Sequence, residues 1–153
     1  METPERCHFL VIENDADEAF FIQRAFHKVK RPSTVVVCRN LSEAKAYLKG
    51  AGMYADRWRY PLPTVILSDL HLAIETGFDF LEWIGAEEGL NTLPVIILTG
   101  SSAPTEIERA TRMGATKVLQ KPLESASLGK MIDQLAQTLC GEYPEPERNH
   151  QKA

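Results

Sequence analysis

Several features that would assign a protein to a specialised class are missing from this sequence. No apolar stretch is long enough to cross a bilayer, and residues 1–6 are too polar for a signal peptide. No basic cluster suggests nucleic acid, and the net charge is −4. The three cysteines, Cys7, Cys38 and Cys140, are far apart and form no Cys-x-x-Cys motif. We therefore expect reduced thiols in a cytoplasmic protein, without a disulfide framework, a zinc site, a membrane partner or a nucleic-acid partner.

The length and composition are those of one ordinary globular domain. The chain has 153 residues, of which 44% are hydrophobic and 25% are charged. We place the domain at residues 7–140. Residues 141–153 contain prolines and many charges but no apolar stripe, so we expect a disordered C-terminal tail.

Apolar runs alternate with helical patterns along the whole domain, which is typical of a parallel sheet covered on both faces. The pattern predicts an α/β fold with a five-stranded, doubly wound (βα)5 sheet. The predicted strands β1 to β5 are residues 8–13, 34–38, 64–69, 95–99 and 116–120. The predicted helices are α1 at 16–29, α2 from the Asn40 cap to Gly50, α3 after Thr76, α4 at 103–113 and α5 at 124–139.

The connection at residues 50–63 is longer than most helix-to-strand loops. It contains the aromatic residues Tyr54, Trp58 and Tyr60. Two interpretations are open: the aromatic side chains pack back onto the domain, or they form a contact with a partner.

Polar and charged residues follow four of the predicted strands. Acidic residues follow β1 from Glu13, Asp69 ends β3, Thr99 ends β4, and Lys121 follows β5. The carboxyl ends of parallel strands meet at one edge of the sheet, where open α/β folds bind ligands. The sequence therefore predicts one pocket that suits a metal ion and a phosphoryl group.

These residues, with Gly77, the pair Gly114-Ala115 and the pair Lys121-Pro122, resemble the motif set of the receiver domains of two-component response regulators. The resemblance covers residues 7–140. It implies a flavodoxin-like receiver fold with strand order 2-1-3-4-5. The long 50–63 connection is also similar to that of stand-alone receivers that work with phytochrome-type sensor kinases.

The resemblance implies a role for each matching residue. Asp69 would accept a phosphoryl group from a sensor histidine kinase or a phosphorelay phosphotransfer protein. Lys121 would hold the phosphoryl oxygens, Thr99 would donate its hydroxyl to them, and Pro122 would follow a cis peptide bond. The protein would be a signalling module and not an enzyme.

The same resemblance implies a Mg²⁺ site formed by Glu13, Asn14, Asp69 and the backbone carbonyl of His71. Asn14 stands where the family usually has a second acidic residue, so the site loses one negative charge. An amide oxygen still binds Mg²⁺, which leaves two interpretations open: Asn14 is a weaker ligand, or phosphorylation is inefficient. Asp15 is expected to begin α1 and to point away.

Two further positions differ from the family pattern. Val118 stands where receivers carry an aromatic switch residue on β5, so we expect the signal to leave through the loop at residues 100–104 or through a dimer contact. The loop at residues 71–75 has Ala73 where a proline is common, which predicts a more mobile loop. His71 and Glu75 would then lie close enough to Asp69 to affect access to the phosphoryl group.

The sequence leaves three functions to consider. The first is a single-domain response regulator that is phosphorylated on Asp69 and acts on a downstream protein, with homodimerisation as a further option. The second is a pseudo-receiver that binds its partner without phosphorylation, which Asn14 and Val118 favour. The third, a flavin or nucleotide enzyme on the same fold, is disfavoured because residues 13–18 are acidic and contain no glycine for a phosphate cradle.

Overall fold

A computed structural model describes residues 6–121 and 124–141 of the chain. Within these ranges the fold is one five-stranded sheet of order β2-β1-β3-β4-β5, with all strand pairs parallel. This confirms the predicted doubly wound α/β architecture. Pro122, with its expected cis bond, and the expected tail at residues 142–153 lie outside the described residues.

The helices and strands begin and end within a few residues of the predicted positions. The largest difference is at α1, which ends at Phe26 instead of residue 29. The observed elements are β1 Cys7–Ile12, α1 Ala16–Phe26, β2 Ser33–Cys38, α2 Leu41–Lys49, a 3-10 turn Gly52–Ala55, β3 Val65–Asp69, α3 Gly77–Gly85, β4 Val95–Thr99, α4 Pro104–Arg112, β5 Lys117–Gln120 and α5 Ser125–Cys140.

The three central strands hold the domain together because they are buried on both faces. Alternate residues point to opposite sides of the sheet and enter two hydrophobic clusters. Leu10 and Ile66 contribute to one cluster, and Phe9 and Leu67 to the other. Each fully buried side chain of this size contributes about 1.5–3 kcal/mol. The core therefore fixes the ends of β1, β3 and β4, where the polar residues lie.

Side-chain caps set the start of the helices near this edge of the sheet. The Asp15 carboxylate caps α1 by accepting hydrogen bonds from the N–H groups of Asp17 and Glu18. Thr76 and Asp79 form a capping box at the start of α3. As expected, Asp15 lies at the start of α1, where its carboxylate caps the helix.

The 50–63 connection packs onto the domain through its tyrosines. The rings of Tyr54 and Tyr60 lie 5.0 Å and 6.1 Å from the ring of Tyr47 on α2. The Arg57 guanidinium donates to the carbonyls of Tyr47 and Tyr60. Trp58, in contrast, is 97% exposed. The interpretation that the aromatic side chains pack back onto the domain is thus confirmed for Tyr54 and Tyr60, whereas Trp58 remains accessible.

The cysteines correct the expectation of reduced thiols. Cys7, at the start of β1, and Cys140, at the end of α5, form a disulfide with a Cα–Cα distance of 5.8 Å. Cys38 is free and buried. The Arg31 side chain also donates to the carbonyl of Ala136 in α5, at 2.9 Å. Cysteines far apart in sequence therefore meet because α5 packs back beside the first strand.

A search of the described helices finds none with the length and apolar character of a membrane span.

Candidate functional site

The carboxyl ends of the strands bring the predicted polar residues to one edge of the sheet. Glu13 follows β1, and its N–H donates to the carbonyl of Cys38 at 3.0 Å. Asp69 and Thr99 are the last residues of β3 and β4. The backbone N–H of Lys121 donates to the Thr99 carbonyl at 2.7 Å, which continues the sheet pairing past the end of β5. The backbone of each candidate residue is therefore held by the sheet.

The Lys121 ammonium lies at the centre of a cluster of carboxylates. Its Nζ is 2.9 Å from Glu13 Oε1, 2.9 Å from Glu18 Oε2 and 3.2 Å from Asp69 Oδ2. The Glu13 side chain is 1% exposed and that of Lys121 is 15% exposed, so water screens the interaction between these two side chains weakly. We call Glu13, Glu18, Asp69 and Lys121 the lysine–carboxylate cluster.

Glu18 is the member of this cluster that the sequence interpretation did not identify. It lies in the first turn of α1, four residues after Asn14. No local spacing pointed to Glu18, because Asn14 precedes the helix and Lys121 is 103 residues away in the sequence. Asn14 itself is exposed, and Asp15 is occupied as the helix cap. Glu18, in the first turn of α1, is therefore the helical acid that reaches Lys121, whereas Asn14 and Asp15 precede the helix.

The charges of the cluster shift one another's protonation. Burial raises the pKa of Glu13 to about 8, and the hydrogen bond from Lys121 offsets only part of that effect. Burial alone would lower the pKa of Lys121, but its hydrogen bonds to Glu18 and Glu13 and the charge of Asp69 raise it. Burial raises the pKa of Glu18, but the hydrogen bonds with Lys121 and Glu13 together lower it by more. The pKa of Glu18 is therefore below its ordinary value. Glu13 therefore holds its proton more tightly than an ordinary carboxyl group, while Lys121 remains a cation.

Each oxygen of the Asp69 carboxylate contacts one polar group of the protein. Its Oδ1 accepts a hydrogen bond from the N–H of His71 at 3.3 Å, and its Oδ2 faces Lys121. Asp69 is 8% exposed. A Cβ on Gly77 would lie 2.8 Å from the Asp69 carbonyl oxygen, so only glycine fits against the end of β3 there. The result is an oriented carboxylate with a cation at one oxygen.

Thr99 connects this edge of the sheet to the loop before α4. Thr99 is fully buried, and its Oγ1 accepts a hydrogen bond from the N–H of Ser101 at 3.0 Å. Ser101 Oγ in turn accepts from the N–H of Ala103 at 3.2 Å. Movement of the threonine hydroxyl would therefore require this loop to change its hydrogen bonds.

His71 and Val118 are not members of the lysine–carboxylate cluster. The His71 imidazole Nε2 lies 3.6 Å from Glu106 Oε2 on α4, so its side chain points toward that helix. The metal-binding role of its backbone carbonyl stays a prediction. Val118 on β5 is partly buried and packs against one of the two hydrophobic clusters. As a branched aliphatic residue packed against the core, it offers no ring that could rotate outward.

The donor set of the cluster suits a hard divalent cation. Oxygens of Glu13, Glu18 and Asp69 lie within 4.8 Å of one another in the described part of the chain. Carboxylate oxygens are the ligands that Mg²⁺ and Mn²⁺ prefer. Lys121 already contacts one oxygen of each of the three carboxylates, so a cation that binds Glu13 and Asp69 has to share these carboxylates with the ammonium.

The sequence is similar to a receiver-domain profile, to a methanogenesis regulatory protein and to two-component response regulators. A profile of the response regulator receiver domain matches residues 9–133. The probable methanogenesis regulatory protein FilR2 of Methanothrix harundinacea (strain 6Ac) is 26% identical over 144 residues, covering 92% of this chain and 88% of FilR2. The two-component response regulator ORR7 of Oryza sativa subsp. indica is 30% identical over 77 residues, covering 50% of this chain and 37% of ORR7.

Solved structures show the same fold. The bacteriophytochrome response regulator AtBRR aligns with a TM-score of 0.74 at 28% identity, covering 95% of this chain and 100% of that one. The response regulator RPA3017 in red light signalling of R. palustris aligns with a TM-score of 0.81 at 22% identity, covering 93% and 99%. At that identity the second likeness supports the fold alone. Since the family profile spans most of its length, this chain belongs to the response regulator receiver domain family.

Proposed function

We propose that this protein accepts a phosphoryl group on Asp69 and passes the signal on by protein–protein contact. The observation that carries the proposal is the 3.2 Å distance between Lys121 Nζ and Asp69 Oδ2, at the edge of the sheet where α/β folds bind ligands. The phosphodonor would be a sensor histidine kinase or a phosphotransfer protein.

In the proposed reaction, a carboxylate oxygen of Asp69 attacks the phosphorus of a phosphohistidine. The N–P bond of the donor breaks as the O–P bond forms, and the freed imidazole of the donor takes up a proton. Such transfers depend mainly on positioning and on neutralising the charge of the phosphoryl oxygens. Lys121 supplies a cation within reach of Asp69, and Thr99 supplies a hydroxyl at the same edge.

The family membership and the donor set support a Mg²⁺ requirement. Glu13, Asn14, Asp69 and the His71 carbonyl would hold the ion, with Asn14 contributing a neutral oxygen. A bound Mg²⁺ would neutralise part of the charge on the incoming phosphoryl group. Glu13 and Asp69 lie close together within the lysine–carboxylate cluster, whereas Asn14 is exposed beside it.

The proposed partners follow from the relatives. AtBRR is named as a bacteriophytochrome response regulator, so a phytochrome-type sensor kinase is the input we propose. Such a kinase domain and a downstream effector protein would meet this receiver in the cytoplasm. Because Val118 lacks a ring, we propose that the output runs through the Thr99–Ser101 hydrogen bond and the loop before α4. A homodimer would offer a second route for the output.

The direct test is phosphorylation by acetyl phosphate with Mg²⁺, followed by intact-mass measurement. We expect the wild-type protein to gain the mass of one phosphoryl group and Asp69→Asn to gain none. Asp133→Asn is the matched control, because Asp133 is exposed on α5, away from the cluster. Addition to Asp69→Asn at the wild-type level would refute the assignment of Asp69.

A pseudo-receiver that binds its partner without phosphorylation is the second candidate. The exposed position of Asn14 and the aliphatic Val118 favour it. A folded wild-type protein that gains no phosphoryl group from acetyl phosphate or from a cognate kinase would support this candidate over the first.

A further inference from the structure

Glu18 contacts the proposed phosphoryl-transfer site without being one of the residues to which a role has been assigned. Its Oε2 lies 2.9 Å from Lys121 Nζ, as close as Glu13 and closer than Asp69. Its side chain is 44% exposed, against 1% for Glu13 and 11% for Asp69. Glu18 therefore approaches the ammonium from the solvent side, while Glu13 and Asp69 approach it from the interior.

This arrangement matters because Lys121 and a divalent cation draw on the same two carboxylates. Glu13 and Asp69 are the carboxylates that would hold the cation, and the ammonium contacts one oxygen of each, Glu13 Oε1 and Asp69 Oδ2. A cation bound to these carboxylates would withdraw negative charge from Lys121 and so weaken its contact with them. A lysine left without another partner would turn to solvent, because its long side chain has high rotamer entropy.

We propose that Glu18 is a positioning residue that keeps the Lys121 ammonium beside Asp69 when a divalent cation shares Glu13 and Asp69. This inference rests on the proposed function, since it concerns the same site. Glu18 acts through Lys121 and need not touch the cation. Where the family has a second acidic residue and this chain has Asn14, Glu18 adds a negative charge beside Lys121 from the first turn of α1.

The neighbouring acidic residues do not share this position. The Asp15 carboxylate is used as the cap of α1. Asp17 lies on the same helical turn as Glu18 and is exposed, and it is not one of the carboxylates that pair with Lys121 in the described residues. Asp17→Asn thus removes the same charge from the same helical turn without removing the contact, which makes it the matched control.

The test is a set of Mn²⁺ titrations in which electron paramagnetic resonance measures the concentration of free Mn²⁺. Glu18→Gln and Asp17→Asn are compared, each with Lys121 present and each in a Lys121→Met background. With Lys121 present, we expect Glu18→Gln to weaken Mn²⁺ binding about threefold to fivefold more than Asp17→Asn, because the ion then takes the carboxylate contacts of Lys121 while no other partner replaces them; this is the size of a partly exposed ion pair. With Lys121→Met, the two variants should bind equally.

A second measurement does not depend on the folding of Lys121→Met. With saturating Mg²⁺, the Lys121 ammonium protons should remain protected from exchange in the wild-type protein, as followed by ¹⁵N NMR. In Glu18→Gln this protection should be lost, and in Asp17→Asn it should persist.

Each contrary outcome has a definite meaning. Equal Mn²⁺ affinities for Glu18→Gln and Asp17→Asn with Lys121 present would overturn the proposal, as would protection of the ammonium in Glu18→Gln. A loss that persists with Lys121→Met would make Glu18 a direct ligand, which also overturns a positioning role. Absence of Mn²⁺ binding by the wild-type protein would also overturn the proposal, because no cation would then share the carboxylates of Glu13 and Asp69 with Lys121. Failure of acetyl phosphate to label Asp69, with the Mn²⁺ results as expected, would refute the proposed function alone.

Discussion

Neutralising the buried acid Glu13 should stabilise the domain at alkaline pH while it damages the site. The Glu13 side chain is 1% exposed, and burial raises its pKa from 4.5 to about 8. Because the folded pKa lies above the unfolded one, the native state holds this proton more tightly. The unfolding free energy therefore falls as the pH rises from about 4.5 to about 8. Glu13→Gln keeps the shape of the protonated acid and removes this dependence.

The expected size follows from the shift in the pKa. At about 1.4 kcal/mol per unit, a shift from 4.5 to about 8 corresponds to about 5 kcal/mol. Glu18, whose pKa is lowered, does not interfere, because stability from a lowered pKa is lost only as the pH falls below the ordinary value of 4.5. We expect Glu13→Gln to be close to the wild-type protein at pH 5 and several kcal/mol more stable at pH 8.5.

Urea unfolding at several pH values, with EDTA present, measures this difference. Trp83 is partly buried in α3, so its fluorescence reports unfolding, whereas Trp58 is 97% exposed and is best replaced by Phe in both proteins. With a slope of about 2 kcal/mol per molar urea, the midpoints should separate by about 2 M at pH 8.5. A separation that is the same at pH 5 and pH 8.5, or a less stable variant at both, would refute the reasoning.

Two further predictions concern the backbone around the site and the ends of the domain. Gly77→Ala should lower the unfolding free energy measured in urea by about 1–3 kcal/mol and slow labelling by acetyl phosphate, because the new Cβ would lie 2.8 Å from the Asp69 carbonyl oxygen. The control is Gly85→Ala, where a Cβ would have no neighbouring atom within 4 Å. This variant should leave the unfolding free energy unchanged or raise it by up to about 1 kcal/mol. Reducing the Cys7–Cys140 disulfide should lower the unfolding free energy by up to about 5 kcal/mol, because the cysteines are 133 residues apart; equal urea midpoints with and without reductant would contradict this.

The sequence alone determined the fold class and the place of the site. Strands buried on both faces produce continuous apolar runs, and such a run ends where the chain leaves the sheet, so the residues after each run could be read directly. Asp69 and Thr99 were placed at the ends of β3 and β4 in this way, and Lys121 just after β5. Their proximity followed from the topology of a parallel sheet, which places these ends at one edge.

Only the tertiary structure decided which side chains touch. Glu18 reaches Lys121 because the cap at Asp15 fixes the direction in which α1 leaves the sheet, and a linear pattern does not contain that angle. Cys7 meets Cys140 because α5 packs back beside the first strand, across a separation of 133 residues. Local periodicity reflects the burial of one element, whereas contacts between distant elements depend on how whole elements pack, which no local pattern encodes.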